Sequence, residues 1–190
     1  MTGDVGVGRG AGAPVAAAVA VAVGCGLLMA RPLLVAVTPA PTTVLVSLFA
    51  VLLAVGWAWP GHARAMRSLG TAATVLVVGV GAFAVGRLLA GGRAPVPPTG
   101  RFVVLNTLAA VAEEAFFRRL TYDVLLPGGD ALAVGGSALL FALVHVTVYG
   151  AWVLPVDLAA GLLLGWQRWA SGSWPVPALT HVLANVLVVI

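Results

Sequence analysis

Lysine is absent from the 190 residues, cysteine occurs once, and only 8% of positions carry a formal charge. Each shortage excludes something. A lone Cys25 leaves no partner for an internal disulfide and no cysteine cage for a metal, so a disulfide scaffold is out of reach. Ten arginines and six acids cannot coat a soluble globule of this length, where about a quarter of the residues would be charged. The arginines stand singly or in pairs between apolar runs. They form no basic stripe of the kind phosphate contacts need, which argues against nucleic acid as a partner. Gly6, Gly8 and Gly10 follow no strand and lead into an apolar run, so they are not a dinucleotide fingerprint, and no nucleotide is expected.

What is present in abundance is hydrocarbon. Hydrophobic residues make up 61% of the chain and the mean hydropathy is +1.09, the composition of an integral membrane protein. A helix needs about 20 apolar residues to cross a bilayer, and by that measure helices are expected near 14–37, 42–59, 71–90, 101–126, 131–149, 151–170 and 176–190. Turn residues separate them at Pro39–Pro41, Pro60-Gly61, Gly91–Gly100, Pro127–Asp130 and Ser171–Pro175. Open sheets cannot satisfy their edges in lipid, and the runs are continuously apolar rather than alternating as barrel strands are. The expected fold is therefore all-α: a polytopic bundle of about seven transmembrane helices, multi-pass in the cell membrane, with the lipid bilayer as its surroundings.

Residues 1–13 are glycine-rich and read as a flexible tail, 14–100 as N-terminal transmembrane helices, and 101–190 as a functional core. A break in the first helix is expected at Arg31-Pro32, because proline removes a backbone donor. Charge bias places the N-terminus in the cytoplasm, with Arg9, Arg64, Arg67, Arg118, Arg119 and Arg168 inside against Arg31, Arg87, Arg93 and Arg101 outside. The all-Arg, Ala/Val/Gly-rich composition suggests a GC-rich bacterial genome.

Ionisable residues within apolar helices are costly and mark function by default. Two of the six acids are adjacent, Glu113-Glu114, well inside the segment that starts at Arg101; His145 and His181 also lie in apolar helices. Residues four apart share a helix face, so Glu114 is offered Arg118, Phe141 lies along the stripe of His145, and His181 that of Asn185. Glu113 is rotated about 100° from Glu114 and faces elsewhere, out of reach of Arg118, with Asn106 seven residues before it. Asp157 reads as interfacial or as a network member. A glutamate with a histidine can hold and deprotonate water, and a second histidine with an asparagine can donate to an oxyanion. Ser137, Ser171, Ser173 and Cys25 lack the setting of a nucleophile, which leaves water as the attacker.

The run Glu113-Glu114-x-x-x-Arg118, then Phe141-x-x-x-His145, then His181-x-x-x-Asn185, on successive helices, resembles the CAAX protease and bacteriocin-processing (CPBP, or Abi) family. These are intramembrane endopeptidases related to the prenyl-protein protease of eukaryotes. The resemblance covers roughly 101–190, as a four-helix core; the approach SGSWPVPALTH to the last motif is similar too. It implies that Glu113 and His145 activate water, that His181 and Asn185 stabilise the oxyanion, and that Glu114, Arg118 and Phe141 support them. It also implies a membrane-associated peptide or protein as substrate.

A metal stays open. Glu113, His145 and His181 would suit a divalent ion such as zinc, yet no HExxH spacing is present. Two other functions also stay open: a non-catalytic immunity or scaffold protein of the same family, and a small proton-coupled transporter. Arg119 stands where the family often has glycine. Gly79, Gly81, Gly86, Gly161 and Gly165 read as points of close helix approach, and Phe116 and Phe117 as packing or lipid-facing residues.

Overall fold

The computed structural model describes residues 12–60, 66–90 and 99–189. Residues 1–11 of the glycine-rich tail, His62, Arg64 and most of the Gly91–Gly100 connection lie outside them, while Gly12 and Ala13 of the expected tail open the first helix. The described residues are all-helical: α1 (Gly12–Ala36), α2 (Pro41–Ala58), α3 (Leu69–Ala90), α4 (Gly100–Glu114), α5 (Tyr122–Leu125), α6 (Asp130–Tyr149), α7 (Leu154–Ser171) and α8 (Pro175–Val189). The segment expected as one helix over 101–126 is α4 and α5 joined through a π-helical stretch, Ala115–Thr121. The polytopic helix bundle read from composition is the fold observed.

Helix ends follow local chemistry. Thr99 caps α4, its side chain accepting from the Phe102 amide at 3.2 Å. α6 stops at Gly150 and α7 at Gly172, whose φ values of 87° and 71° favour a residue without Cβ. α1 does not break at Pro32, which lies inside the helix. A proline is tolerated in an apolar span because neighbouring helices and local adjustment accommodate the freed carbonyl.

α1, α2, α3 and α6 are long and apolar enough to cross a membrane. The other long segments fall short of that measure for a reason that bears on the site. α4 runs only 15 residues before the backbone passes into the π-helical stretch, α7 carries Asp157, Gln167 and Arg168, and α8 is described over only 15 residues. The polar helices are held among the apolar ones.

The π-helical stretch is the centre of the bundle. It packs against α1, α2, α6 and α7, and all of its residues except Arg119 are buried. Phe116 and Phe117 are fully buried, not lipid-facing, and meet edge to face at 5.0 Å. Close approach depends on glycine. A Cβ on Gly56 of α2 would sit 2.6 Å from the carbonyl carbon and oxygen of Ala115, and one on Gly24 of α1 would strike the Phe116 ring. Gly161 and Gly165 admit Ala138 and Val134 of α6, and Gly79 admits the Gln167 side chain; Gly81 and Gly86 touch nothing and are not packing glycines. Gln167 then ties three helices, donating to the Val75 carbonyl at 2.8 Å and to Thr180 at 2.9 Å.

Arg118 and Arg168 are buried and Arg31 faces the interior, so none of the three belongs in the count of loop charges that set the expected orientation. Arg9, Arg64 and Arg93 of that count lie outside the described residues.

Because backbone atoms cannot move aside as a flexible side chain does, Gly56→Ala is expected to destabilise the bundle by about 1–3 kcal/mol. Gly81→Ala should leave stability unchanged or slightly raised. Thermal unfolding of both variants in detergent checks this; equal melting of the two would show that α2 does not rest on the π-helical backbone.

Candidate active site

Seven helices line one cavity of about 1040 Å³. Into it face Arg31 and Phe49 from α1 and α2, Arg87 from α3, Asn106 and Glu113 from α4, Phe141, His145 and Tyr149 from α6, Asp157 from α7, and His181 and Asn185 from α8. The rest of the lining is largely aliphatic. All four residues expected to carry chemistry, Glu113, His145, His181 and Asn185, open onto this single space. Phe141 joins them. Glu114 and Arg118 lie behind the wall and are completely buried.

The α4 face order decides which carboxylate meets which histidine. Oε2 of Glu113 lies 3.8 Å from Nε2 of His145. Nδ1 of His145 is 2.7 Å from the Phe141 carbonyl. A carbonyl only accepts, so that nitrogen carries the proton and donates, and in the neutral ring Nε2 is an acceptor. The facing atoms of Glu113 and His145 are then both acceptors, which suits a shared donor between them rather than a direct bond.

Glu114 does more than the resemblance implied. Its Oε1 accepts from Nδ1 of His181 at 3.0 Å, while Oε2 lies 3.3 Å from Nε of Arg118. Arg118 also donates to the Gly161 carbonyl at 3.1 Å and lies 4.6 Å over the Phe141 ring. The carboxylate therefore fixes which His181 nitrogen is protonated and leaves Nε2 free for the cavity. Phe141 has an imidazole on either flank, His145 at 4.5 Å and His181 at 5.8 Å between ring centroids, and so spaces the two histidines.

Asn185 reaches the cavity wall, and its Nδ2 lies 3.5 Å from the Asn106 carbonyl, a long contact that holds it weakly. Asn106 itself turns back along α4, donating to the Phe102 carbonyl at 2.9 Å, and is not a partner of Glu113. Arg119 donates to the Trp59 carbonyl at 3.2 Å and lies 5.5 Å over Trp57. An arginine is thus accommodated at that turn by the end of α2.

Two further charged groups stand beside these residues: Arg31, which the charge count placed in an outer loop, and Asp157, for which a network role was one of two expected. Glu113 is not isolated, because Nη1 of Arg31 lies 3.7 Å from its Oε1. Asp157 is a network member: its Oδ2, buried and without a hydrogen bond, lies 3.9 Å from Nδ1 of His145. Arg168 forms a second layer behind the site, donating from Nε to the Arg118 carbonyl at 2.9 Å and lying 3.5 Å from Asp123.

Residues 95–187 match the model of the family described as Type II CAAX prenyl endopeptidase Rce1-like. That segment is similar to the Rce1-like family, in line with the resemblance its motifs carry. No curated protein and no solved structure matches it. The Rce1-like segment contains every motif residue from Glu113 to Asn185, but not α1 or Arg31. As for a metal, no three His, Cys, Asp or Glu side chains among the described residues are grouped as ligands. The nitrogen that each histidine commits to a protein acceptor is Nδ1, an anchoring that metal-bound histidines share, and it leaves Nε2 on the cavity side.

Glu114 and Arg118 are both 0% exposed, so removing one leaves the other charged in a dry interior. Arg118→Met is expected to cost about 3–5 kcal/mol, and the double change Glu114→Leu with Arg118→Met distinctly less. Thermal unfolding of the single and double variants checks the difference; an equal loss in both would show that the pair is not what makes the arginine necessary.

Proposed function

We propose that the protein is an intramembrane endopeptidase of the cell membrane that hydrolyses a peptide bond in a membrane-associated substrate, with water as the nucleophile. The observation that carries the reading is the 3.8 Å gap between Oε2 of Glu113 and Nε2 of His145 within the cavity. A water hydrogen-bonded to both at about 2.8 Å would subtend roughly 85° at its oxygen, near the angle between its own two O–H bonds. Both of its hydrogens are then engaged, and its lone pairs are turned outward to a bound substrate.

Attack follows from that arrangement. The water oxygen bonds to the scissile carbonyl carbon, its proton passes to Nε2 of His145, and the Glu113 carboxylate stabilises the imidazolium so formed. The carbonyl oxygen becomes an oxyanion. With Nδ1 of His181 anchored on Glu114, its Nε2 faces the cavity and, in the doubly protonated ring, donates to that oxyanion, and Nδ2 of Asn185 supplies a second donor. On collapse the carbon–nitrogen bond breaks, and the Nε2 proton of His145 goes to the departing amine. Both histidines thus work with one nitrogen anchored and the other on duty.

The largely aliphatic lining suits an apolar peptide and keeps bulk water scarce around the charges. No step passes through a metal.

Glu113→Gln and His145→Ala are each expected to lower kcat about 10²- to 10⁴-fold, and Asn185→Ala by about 10²-fold or more. The check is turnover of a panel of apolar peptides by purified protein in detergent. Turnover equal to wild type in Glu113→Gln would end the hydrolase reading and favour a binding role. Activity is also expected to survive dialysis against a chelator; a loss restored by zinc would replace the water-only mechanism.

A further inference from the structure

The motif residues come from α4, α6 and α8, yet the contact to Oε1 of Glu113 comes from the first helix of the chain. Nη1 of Arg31 lies 3.7 Å from that oxygen, and the guanidinium sits 5.7 Å over the Phe49 ring of α2. The Arg31 side chain is only 13% exposed, so it is a charge committed to the interior at the cost of its hydration. Nothing in the Rce1-like segment accounts for it.

The charges around Glu113 explain what it could do. Three carboxylates, Glu113, Glu114 and Asp157, surround the two histidines. Glu114 has Arg118. Without Arg31, Glu113 would lose the cation 3.7 Å from its Oε1 and would face a neighbouring carboxylate on its own helix and Asp157 across His145. A carboxylate with one oxygen held by a cation also has its other oxygen aimed. Here Arg31 takes Oε1, and Oε2 is the oxygen turned to His145.

We propose that Arg31 is a positioning residue for the hydrolysis: it offsets the charge of Glu113 and turns Oε2 toward His145, so that the site is complete only with α1 in place. The proposal rests on Glu113 and His145 acting on water as above. Arg31 touches Glu113 and not the reacting atoms, so its effect falls on kcat rather than on substrate affinity.

The test compares wild type with Glu113→Gln, Arg31→Ala and Arg31→Lys on one peptide, with and without added guanidinium chloride at a concentration wild type tolerates. Arg31→Ala is expected to lose roughly 10- to 100-fold in kcat, a part of what removing the base itself costs, with KM within about twofold. Arg31→Lys should retain more, since it keeps the charge but not the fork. Guanidinium should restore Arg31→Ala several-fold and leave Glu113→Gln inactive, a rescue that a misfolded chain would not show.

A raised KM with unchanged kcat would mean that Arg31 binds substrate, and would overturn the proposal. So would a kcat loss that neither guanidinium nor lysine relieves, which would mark a packing role. Wild type active with Arg31→Ala equally active sinks the proposal alone. Wild type that cleaves nothing sinks the hydrolase reading and the proposal with it.

Discussion

A guanidinium and a carboxylate with no exposed surface at all, Arg118 and Glu114, sit at the middle of this bundle, and the arrangement around them follows from the need to satisfy both. In an apolar interior an unpaired charge is far more costly than a paired one. Arg118 uses Glu114, the Gly161 carbonyl and the Phe141 ring. Glu114 uses its second oxygen on His181. These contacts reach from the π-helical stretch to α6, α7 and α8, so the same interactions that make the burial tolerable fix the positions of both histidines. The buried ion pair and the placing of the two histidines are one structure here.

The second carboxylate shows the complementary principle. Glu113 differs from Glu114 by one residue and by a rotation of about 100°, and it therefore opens onto the cavity instead of the wall. Its neighbours are His145 and Arg31, at distances of 3.8 and 3.7 Å that leave room for a small molecule to take part. Both oxygens of Glu114 face protein partners, Arg118 and His181, within the wall; Glu113 faces the cavity and remains available. The polar groups of the site are thus graded by depth, with Arg168 and Asp123 outermost behind the wall, Glu114 and Arg118 within it, and Glu113, His145 and Asp157 at its surface.

Glycine has a quiet part in the same economy. Interhelical contact in lipid gains little from hydrophobicity and much from close packing, and Gly56 and Gly24 let the π-helical stretch lie directly against α2 and α1. That closeness is also what brings α1 near enough for Arg31 to reach Glu113. A larger residue at either position would separate the N-terminal helices from the site.

Composition and run length alone determined that this chain is a bundle of apolar helices, and the turn residues of Pro127–Asp130 and Ser171–Pro175 marked where helices end. The i,i+4 rule paired Glu114 with Arg118 and Phe141 with His145, because those contacts lie within one helix, and motif order put the four chemical residues around one cavity. Contacts between helices distant in sequence were decided only by tertiary structure. Nothing local to Arg31-Pro32 says that the arginine turns inward, since the helix passes through a proline that was expected to break it. Nothing local to Asp157 says that it faces His145, nor to Glu114 that its second oxygen is for His181. Periodicity fixes which residues share a face, but which face meets which neighbour is set by packing the whole bundle, and that is where the partner of each charge was chosen.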